Sequence, residues 1–411
     1  MSAEIRVLDH PHESGQALRI FGRAMVGLAG INQLDPERVL EPGRFLGAVE
    51  SGTAGSGTAG SDTVVGGADS YTSWLAVPGG NRVPHAAVTH VGVLPTHRRR
   101  GIVRRLITAQ LEDLARRGEV VATLRASEAT IYGRFGYAVA SSAASIEILS
   151  ARAGLLPTVP DPGPVRLIDD DPDSGALTRE IYSGARWAGA IDRPDGWWNL
   201  RDLQREKQST PTYLVAFEED GVGTGYARYQ PADPAHWFTS DRREVVVDDF
   251  VANSDKAYLA LIRHLLSLDL VDVIIFASRP LDDPLPILLK DPRAARVRSV
   301  SDETWLRIID VEPALAARRY GAAAPVTIAV SDPLLAGNNG TFEVGPDNVR
   351  RVDTAPDISV DVTGLAATYL GGTTWQHLAL AGVATAHTDG AAGRADNLFG
   401  TTRLPHSGTI F

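Results

Sequence analysis

Apolar residues follow two recurring patterns along this chain. Short runs rich in valine, isoleucine and alanine read as strands, and stretches with apolar residues every third or fourth position read as helices. The clearest unit spans residues 87–118. Ala87 to Val93 is apolar and valine-rich, which suits a buried strand. Pro95 cannot donate to a sheet ladder, so pairing should stop there. From Ile102 to Arg117, the residues Val103, Leu106, Ile107, Leu111 and Leu114 share one helical face. Gly118 follows, where a left-handed cap is easiest for glycine.

The pattern predicts further elements on either side. Ile5–Leu8 is a short strand, Gln16–Ala29 a helical stretch, and Phe45–Val49, Ser73–Val77 and Val120–Leu124 are strands. Residues 51–70 are mostly Gly, Ser, Thr and Ala and read as a solvated loop between two strands. Residues 151–210 are loop-rich, with a helix around Gly175–Ala190. The first order then recurs. Tyr213–Phe217 and Gly223–Gln230 form a hairpin, Glu244–Val251 a strand, Asp255–Ser267 a helix and Val271–Phe276 a strand. Beyond residue 300 come strands at Trp305–Asp310 and Val326–Val330 flanking a helix at Pro313–Tyr320. Short strands at Thr341–Val344 and Asp357–Val362 and helices at Val362–Leu370 and Arg394–Leu398 complete the pattern.

Composition narrows the class. A chain of 411 residues implies two or three domains, and 44% apolar residues supports a sizeable core. No run approaches the roughly 18–20 apolar residues of a membrane span. The N-terminal Met-Ser-Ala-Glu lacks the regions of a signal peptide, which favours the cytoplasm. There is no cysteine, so disulfides, thiolate metal sites and a cysteine acyl-enzyme are excluded. The net charge of −10 disfavours nucleic acid and suits cationic partners such as amines, although it serves solubility equally well.

Candidate chemistry gathers at the clearest unit. Arg98, Arg99, Arg100 and Gly101 lie between the strand and the helix. A helix N-terminus offers unpaired N–H groups and a positive dipole end. Gly101 allows close backbone approach, and arginines add charge-assisted hydrogen bonds. This suits a pyrophosphate; a basic surface turn capping a helix is the plainer reading of the same four residues. A second stretch, residues 125–137, follows the Val120–Leu124 strand. Its Tyr132 could hand a proton to a departing thiolate of comparable basicity. Tyr132, Phe135 and Tyr137 could equally be packing residues.

P-T-H-R-R-R-G at 95–101, directly after a V-x-V strand, together with A-S-E-x-x-I-Y-G-R-F-G-Y at 126–137, resembles the Eis (enhanced intracellular survival) branch of the GNAT acetyltransferases. One position departs: Val103 stands where the usual R/Q-x-x-G-x-G/A turn ends in a small residue. The resemblance extends through residues 283–291, Trp305-Leu-Arg-Ile and the aromatic C-terminus. It implies an α+β fold of tandem GNAT units, each a mixed twisted sheet with helices, followed by a sterol-carrier-protein-like α+β domain. The expected divisions are a catalytic GNAT domain at 1–150, a degenerate GNAT-like domain at 151–299 and the terminal domain at 300–411.

The resemblance also implies roles. Acetyl-CoA is the cosubstrate. Val91, Gly92 and Val93 would meet pantetheine; Arg98, Arg99, Arg100, Gly101 and Ile102 would form the pyrophosphate turn; Ser127 would lie near the cofactor. Tyr132 would be the general acid. The terminal domain would deliver the Phe411 carboxylate to the active site. Part of the substrate wall would come from Gly27–Asp35, and the family forms hexamers. The second unit has Ala-Asn-Ser-Asp at 252–255 where the first has its arginine turn, with Asp248 and Asp249 before it, so it should not hold a diphosphate. The expected reaction is N-acetylation of a primary amine, most simply an aminoglycoside-like polyamine, by direct attack in a ternary complex. Protein lysines or N-termini are alternative acceptors, and a non-catalytic acetyl-CoA or lipid-binding scaffold is the rival outside enzymes. Trp197 and Trp198 read as core anchors.

Overall fold

The computed structural model describes residues 3–26, 28, 34–51, 62–168, 172–207 and 209–411. Gly27 and residues 29–33 of the expected substrate wall, and residues 52–61 of the loop expected at 51–70, lie outside the described residues.

The chain runs through one element order twice. The first pass is β1 (Glu4–Val7), α1 (Pro11–Met25), α2 (Pro36–Val39), β2 (Leu46–Glu50), β3 (Thr63–Ala76), β4 (Arg82–Val93), α3 (Ile102–Arg116), β5 (Val121–Leu124), α4 (Ala129–Tyr132) and β6 (Ala138–Leu149). The second is β7 (Arg166–Ile168), α5 (Pro172–Ser183), α6 (Asp195–Glu206), β8 (Tyr213–Glu219), β9 (Val222–Pro231), β10 (Glu244–Ala252), α7 (Asp255–Leu266), β11 (Val273–Arg279), α8 (Leu285–Leu288) and β12 (Ala295–Ile308). These strands build one twelve-stranded sheet in the order β1-β2-β3-β4-β5-β12-β6-β11-β10-β9-β8-β7. Each half contains one parallel pair, β4 with β5 and β10 with β11, joined by the helices α3 and α7 as a parallel crossover requires.

The centre of the sheet shows an exchange. β6 closes the first pass, yet it pairs with β11 of the second. β12 closes the second pass, yet it pairs with β5 of the first. β6 and β12 then pair with each other along most of their length. The strand expected at Trp305–Asp310 is therefore part of this large sheet, not of the terminal sheet, and it begins ten residues earlier, at Ala295. The expected loop at 51–70 is also corrected. Thr63 onward is strand, and β3 runs unbroken through Gly66, Gly67 and Ala68 to Ala76. Small residues are used there because α1 and β2 lie close: a Cβ on Gly67 would sit 2.7 Å from Phe45.

The final elements are α9 (Val311–Ala317), β13 (Val326–Ser331), β14 (Gly340–Val344), β15 (Val349–Val352), β16 (Ile358–Asp361), α10 (Val362–Tyr369), α11 (Trp375–Leu380), β17 (Ala384–Ala386) and α12 (Ala391–Phe399). They form a five-stranded sheet, β15-β14-β13-β16-β17, covered by helices. Asp361 caps α10 by accepting from Gly364 N, and Thr374 caps α11 through His377 N. The core here is continuous with the large sheet: Leu306 and Ile308 of β12 pack with Leu315, Ile328, Phe342, Leu365 and Trp375.

A buried ion pair fastens the two sheets. Arg307 of β12 donates both contacts of Nη2 to Asp332, at 2.8 and 2.7 Å, and both side chains are fully buried. Asn338 Nδ2 donates to the same carboxylate at 2.8 Å and to Ile309 O at 3.1 Å. Removing one partner leaves the other charge buried and unpaired. Asp332→Ala is therefore expected to cost about 3–5 kcal/mol, read as a lower urea midpoint by tryptophan fluorescence.

Candidate active site

The site begins where β4 and β5 part. Their parallel register ends at Ala87 with Thr123, while β4 continues to Val93. The backbone groups of β4 beyond Ala87 therefore lack a β5 neighbour, which is the opening expected for pantetheine. A bulge accompanies the opening. Gly67 and Asp69 of β3 face Gly92 and Thr89 of β4, so His90 and Val91 together oppose the single residue Ala68. His90 takes a left-handed φ of 49° at that point. Gly92 is required by packing, since a Cβ there would lie 2.9 Å from the Phe21 backbone of α1. Val91 is half-buried and Val93 buried.

The arginine turn follows as the sequence suggests. Gly101 caps α3 in the left-handed region, φ 75°, where no side chain is comfortable. The first N–H groups of α3 thus point outward without a side-chain cap. Arg98 and Arg99 are exposed, and among the described residues neither pairs with a carboxylate. Arg100 differs: its Nη2 donates to Glu50 Oε1 at 2.7 Å, and His97 shares that carboxylate. Arg100 is therefore partly engaged by the protein itself. Ile102 has its side chain in the core, so only its backbone can meet an anion. Ser127 is exposed at the entry to α4.

Tyr132 ends α4 and is 5% exposed. It stands edge-on to Tyr137, with ring centroids 6.0 Å apart. Burial pushes its phenol up to about 12, so it is fully protonated at neutral pH and a weaker acid than the free side chain. Phe135 and Tyr137 are buried packing residues.

The C-terminus is the part that residue pattern alone underspecified. Residues 406–409 run through the interior, and Ser407 and Thr409 are fully buried. Glu303 of β12 is their hub. It accepts from Ser407 N at 2.7 Å and Gly408 N at 3.0 Å, and from Ser141 Oγ at 2.9 Å. Arg125, one residue past β5, donates to both Glu303 and Thr409 O. Burial alone would favour the neutral acid. The neighbouring His406 and Arg125 and the two backbone N–H groups override it and hold the Glu303 carboxyl down at about 2.

The second half grips the tail from its other side. Arg193 donates to Gly408 O and Thr409 Oγ1, each at 3.1 Å, and to Asp249 at 2.8 and 3.0 Å. Trp197 Nε1 donates to Ile410 O at 2.7 Å, and Trp187 Nε1 to His406 O at 2.9 Å. Trp197 and Trp198 are core anchors as expected, and Trp197 also positions the tail. The Phe411 ring packs edge-on against Tyr71 of β3, centroids 5.9 Å apart. Tyr71 is paired with Ala87, the last β4 residue in register with β5. The chain thus ends beside the opening of the first half. Asp249 is correspondingly not a free charge at the second turn, because it is buried under Arg193. Glu303 and Arg193 carry no local motif, and only tertiary structure identifies them; Arg125 opens the 125–137 stretch, but its hold on the tail is a tertiary contact.

An open strand pair, a bare basic helix start and a buried phenol are the features expected of a GNAT acetyltransferase. Comparison with known proteins agrees. Models of acetyltransferase (GNAT) domains match residues 14–140 and 189–308, and a sterol carrier protein domain matches 311–408. The chain is 34% identical over 425 residues to an uncharacterized N-acetyltransferase of Streptomyces griseus, covering 100% of both. It is 33% identical over 313 residues to the N-acetyltransferase Eis of Mycobacterium tuberculosis, covering 72% of this chain and 73% of that one. The crystal structure of Eis1 from Mycobacterium abscessus superposes with a TM-score of 0.91 at 50% identity, covering 99% of this chain and 100% of that one. A GCN5-related N-acetyltransferase from Anabaena variabilis shares the fold, with a TM-score of 0.82 at 22% identity over 99% of this chain and 100% of that one. The chain belongs to the Eis family of GNAT N-acetyltransferases. It is an acetyltransferase enzyme with acetyl-CoA as cosubstrate, and the scaffold reading falls. Among the described residues, no helix is long and apolar enough to cross a membrane.

Glu303 gives this anchorage a pH signature. Its folded-state pKa lies below the unfolded value of about 4.3, so its contribution is present above that value. It is lost as pH falls toward about 2. Wild type and Glu303→Gln should therefore differ in urea midpoint at neutral pH and converge as the pH is lowered through this window.

Proposed function

We propose that this enzyme acetylates primary amines of aminoglycoside-like polyamines, by direct attack on acetyl-CoA within a ternary complex. The observation that carries this reading is the placement of the chain terminus. The Phe411 ring is held against Tyr71, beside the opening expected to receive the thioester, and in this reading its α-carboxylate is free. A fixed anion there attracts a cationic amine and orients it. The acidic balance of the chain, −10, acts in the same direction at longer range. The absence of cysteine removes a cysteine acyl-enzyme, which favours direct attack.

In this mechanism Val91 and Val93 offer backbone groups to pantetheine, and Gly92 lets the strand sit close to α1. Arg98, Arg99, Gly101 and the first N–H groups of α3 receive the pyrophosphate, with Arg100 shared with Glu50 and Ser127 near the cofactor. The neutral amine attacks the thioester carbonyl and forms the C–N bond, the C–S bond breaks as Tyr132 gives its proton to the departing sulfur, and the tyrosinate regains a proton from the acetylated nitrogen. The second half serves as a support without cofactor. At its corresponding turn the Ser254 hydroxyl already accepts from Ala257 N, one of the groups a phosphate would need.

Free-thiol release from acetyl-CoA, measured with aminoglycosides, polyamines and a lysine peptide, tests the acceptor class. Rapid turnover of aminoglycosides is expected; turnover confined to the peptide would make protein lysine the substrate. Tyr132→Phe should lower kcat by about 10²-fold or more with little change in the KM for acetyl-CoA. Deleting Phe411 should collapse turnover while acetyl-CoA binding, followed by calorimetry, persists. A hexamer, in line with the Eis resemblance, would appear in native mass spectrometry as six times 43.9 kDa.

A further inference from the structure

The opening carries a titratable pair that the scheme above leaves unused. His90 occupies the bulge of β4, immediately before Val91, and its Nδ1 lies 3.0 Å from Asp69 Oδ2 of β3. The pair is enclosed. Asp69 is 2% exposed, and the His90 ring is set edge-on to Phe21 of α1 with centroids 5.2 Å apart. Phe45 flanks the ring on another side. The bulge and its left-handed backbone turn this imidazole onto the face of the sheet where Phe21 and Asp69 lie, while Val93 packs with α3 on the other face.

Two polar atoms on that face have no partner. Asp69 Oδ1 is buried without a hydrogen bond, and so is the Tyr71 hydroxyl. Asp69 and Tyr71 are two residues apart on β3 and therefore point to the same side. Phe411 packs against Tyr71. A buried carboxylate oxygen, a buried phenol and the terminal residue thus gather on one face of β3, next to the strand that borders the opening. Unsatisfied buried polar atoms are costly unless a ligand completes them. A substrate ammonium, with its several N–H donors, is the group that does so.

We propose that Asp69 and His90 form the proton-accepting site for the substrate amine. Asp69 fixes the ring through Nδ1, which leaves Nε2 as the acceptor. This rests on the amine N-acetylation proposed above and supplies a step that it lacks. A terminal carboxylate has a reference pKa of about 3.5 and imidazole one of about 6.5, so an imidazole is the better matched acceptor for an ammonium. The balance is as follows. The ammonium gives one proton to His90, and the nitrogen lone pair forms the C–N bond. The C–S bond breaks, and the sulfur takes the Tyr132 proton. The tyrosinate recovers a proton from the acetylated nitrogen, directly or through water, and His90 releases its proton to solvent.

The charged and titratable groups around His90 are few. β3 contributes Asp69 and, beyond it, Tyr71. Arg44, from the segment before β2, bears electrostatically on Asp69 but is itself bonded to Ser70, Thr72 and Glu119. α1 contributes the Phe21 ring, and from α3 Gln110 donates to the Asp69 backbone oxygen at 3.1 Å.

The test uses the full-length enzyme and the best acceptor from the thiol-release panel. His90→Asn is chosen because asparagine tolerates a positive φ. It should lower kcat/KM about 10²-fold at neutral pH and abolish the acid limb of the pH profile, with rates recovering toward wild type at alkaline pH. Asp69→Asn should also lower kcat/KM, because the ring loses the carboxylate that fixes its orientation. Acetyl-CoA binding by calorimetry reports that each variant is folded. A uniform loss at every pH, or a wild-type profile in His90→Asn, would overturn the assignment while leaving the acetyltransferase reading intact. If the wild type turns over no amine in the panel, the function proposed above fails first and this assignment with it.

Discussion

A buried carboxylate, Glu303, is the interaction on which the rest of the molecule depends. It sits on β12 near the middle of the large sheet and collects donors from β6, from Arg125 past β5, and from the backbone of the terminal tail. A buried anion of this kind is tolerable only when its lone pairs are filled. The filling here comes from segments far apart in the chain, so one charge imposes one relative placement on them. The tail is ordered for this reason. It carries few large apolar groups of its own, and its backbone polar groups are met by Glu303, Arg125, Arg193 and Trp197.

The two halves repeat one element order but differ where chemistry is possible. In the first, the turn after the long strand offers arginine, a left-handed glycine and free helical N–H groups. In the second, a serine cap satisfies the helix start, and the bulge residues include an aspartate neutralised by Arg193. The same backbone opening therefore faces different uses. One remains available to a cofactor, while residues beside the other hold the tail that reaches across to the first.

What could be read from sequence was what is encoded locally. The Val91–Val93 strand, the arginine turn, α3 with its glycine ends and the hairpin of β8 and β9 all follow from short-range periodicity and turn chemistry. In the terminal domain α9, β13, β14, β16, α10 and part of α12 were legible for the same reason, while the short strands β15 and β17 were not. β3 was misjudged through residues 63–70 because tight packing selects glycine and alanine there, and those residues look like loop when their neighbours are unknown. α6 escaped notice because its apolar residues, Trp197, Trp198, Leu200 and Leu203, are few in a strongly polar stretch. α11 is one short helix whose start depends on a threonine cap. The site was legible as far as its motifs extend. Glu303, Arg193 and the Asp69–His90 pair were not, because each is a relation between distant residues, and a lone acid or histidine has no pattern.

The exchange of β6 and β12 bears on how the chain is made. β5, the strand that bounds the cofactor opening, has β12 as its outer neighbour, and the two are separated by some 180 residues. Until the ribosome has released Ile308, the first half holds β5 with an open edge. β6, already synthesised, must wait for both of its partners. Folding by successive independent domains is therefore closed to this protein, since the amino-terminal half is unfinished while the next is being translated. Such long-range pairing slows folding and leaves strand edges exposed in the nascent chain. Evolution of the second half is constrained in the same way. Without an arginine turn of its own, it still cannot be discarded, because it supplies the strand that completes the sheet of the first half.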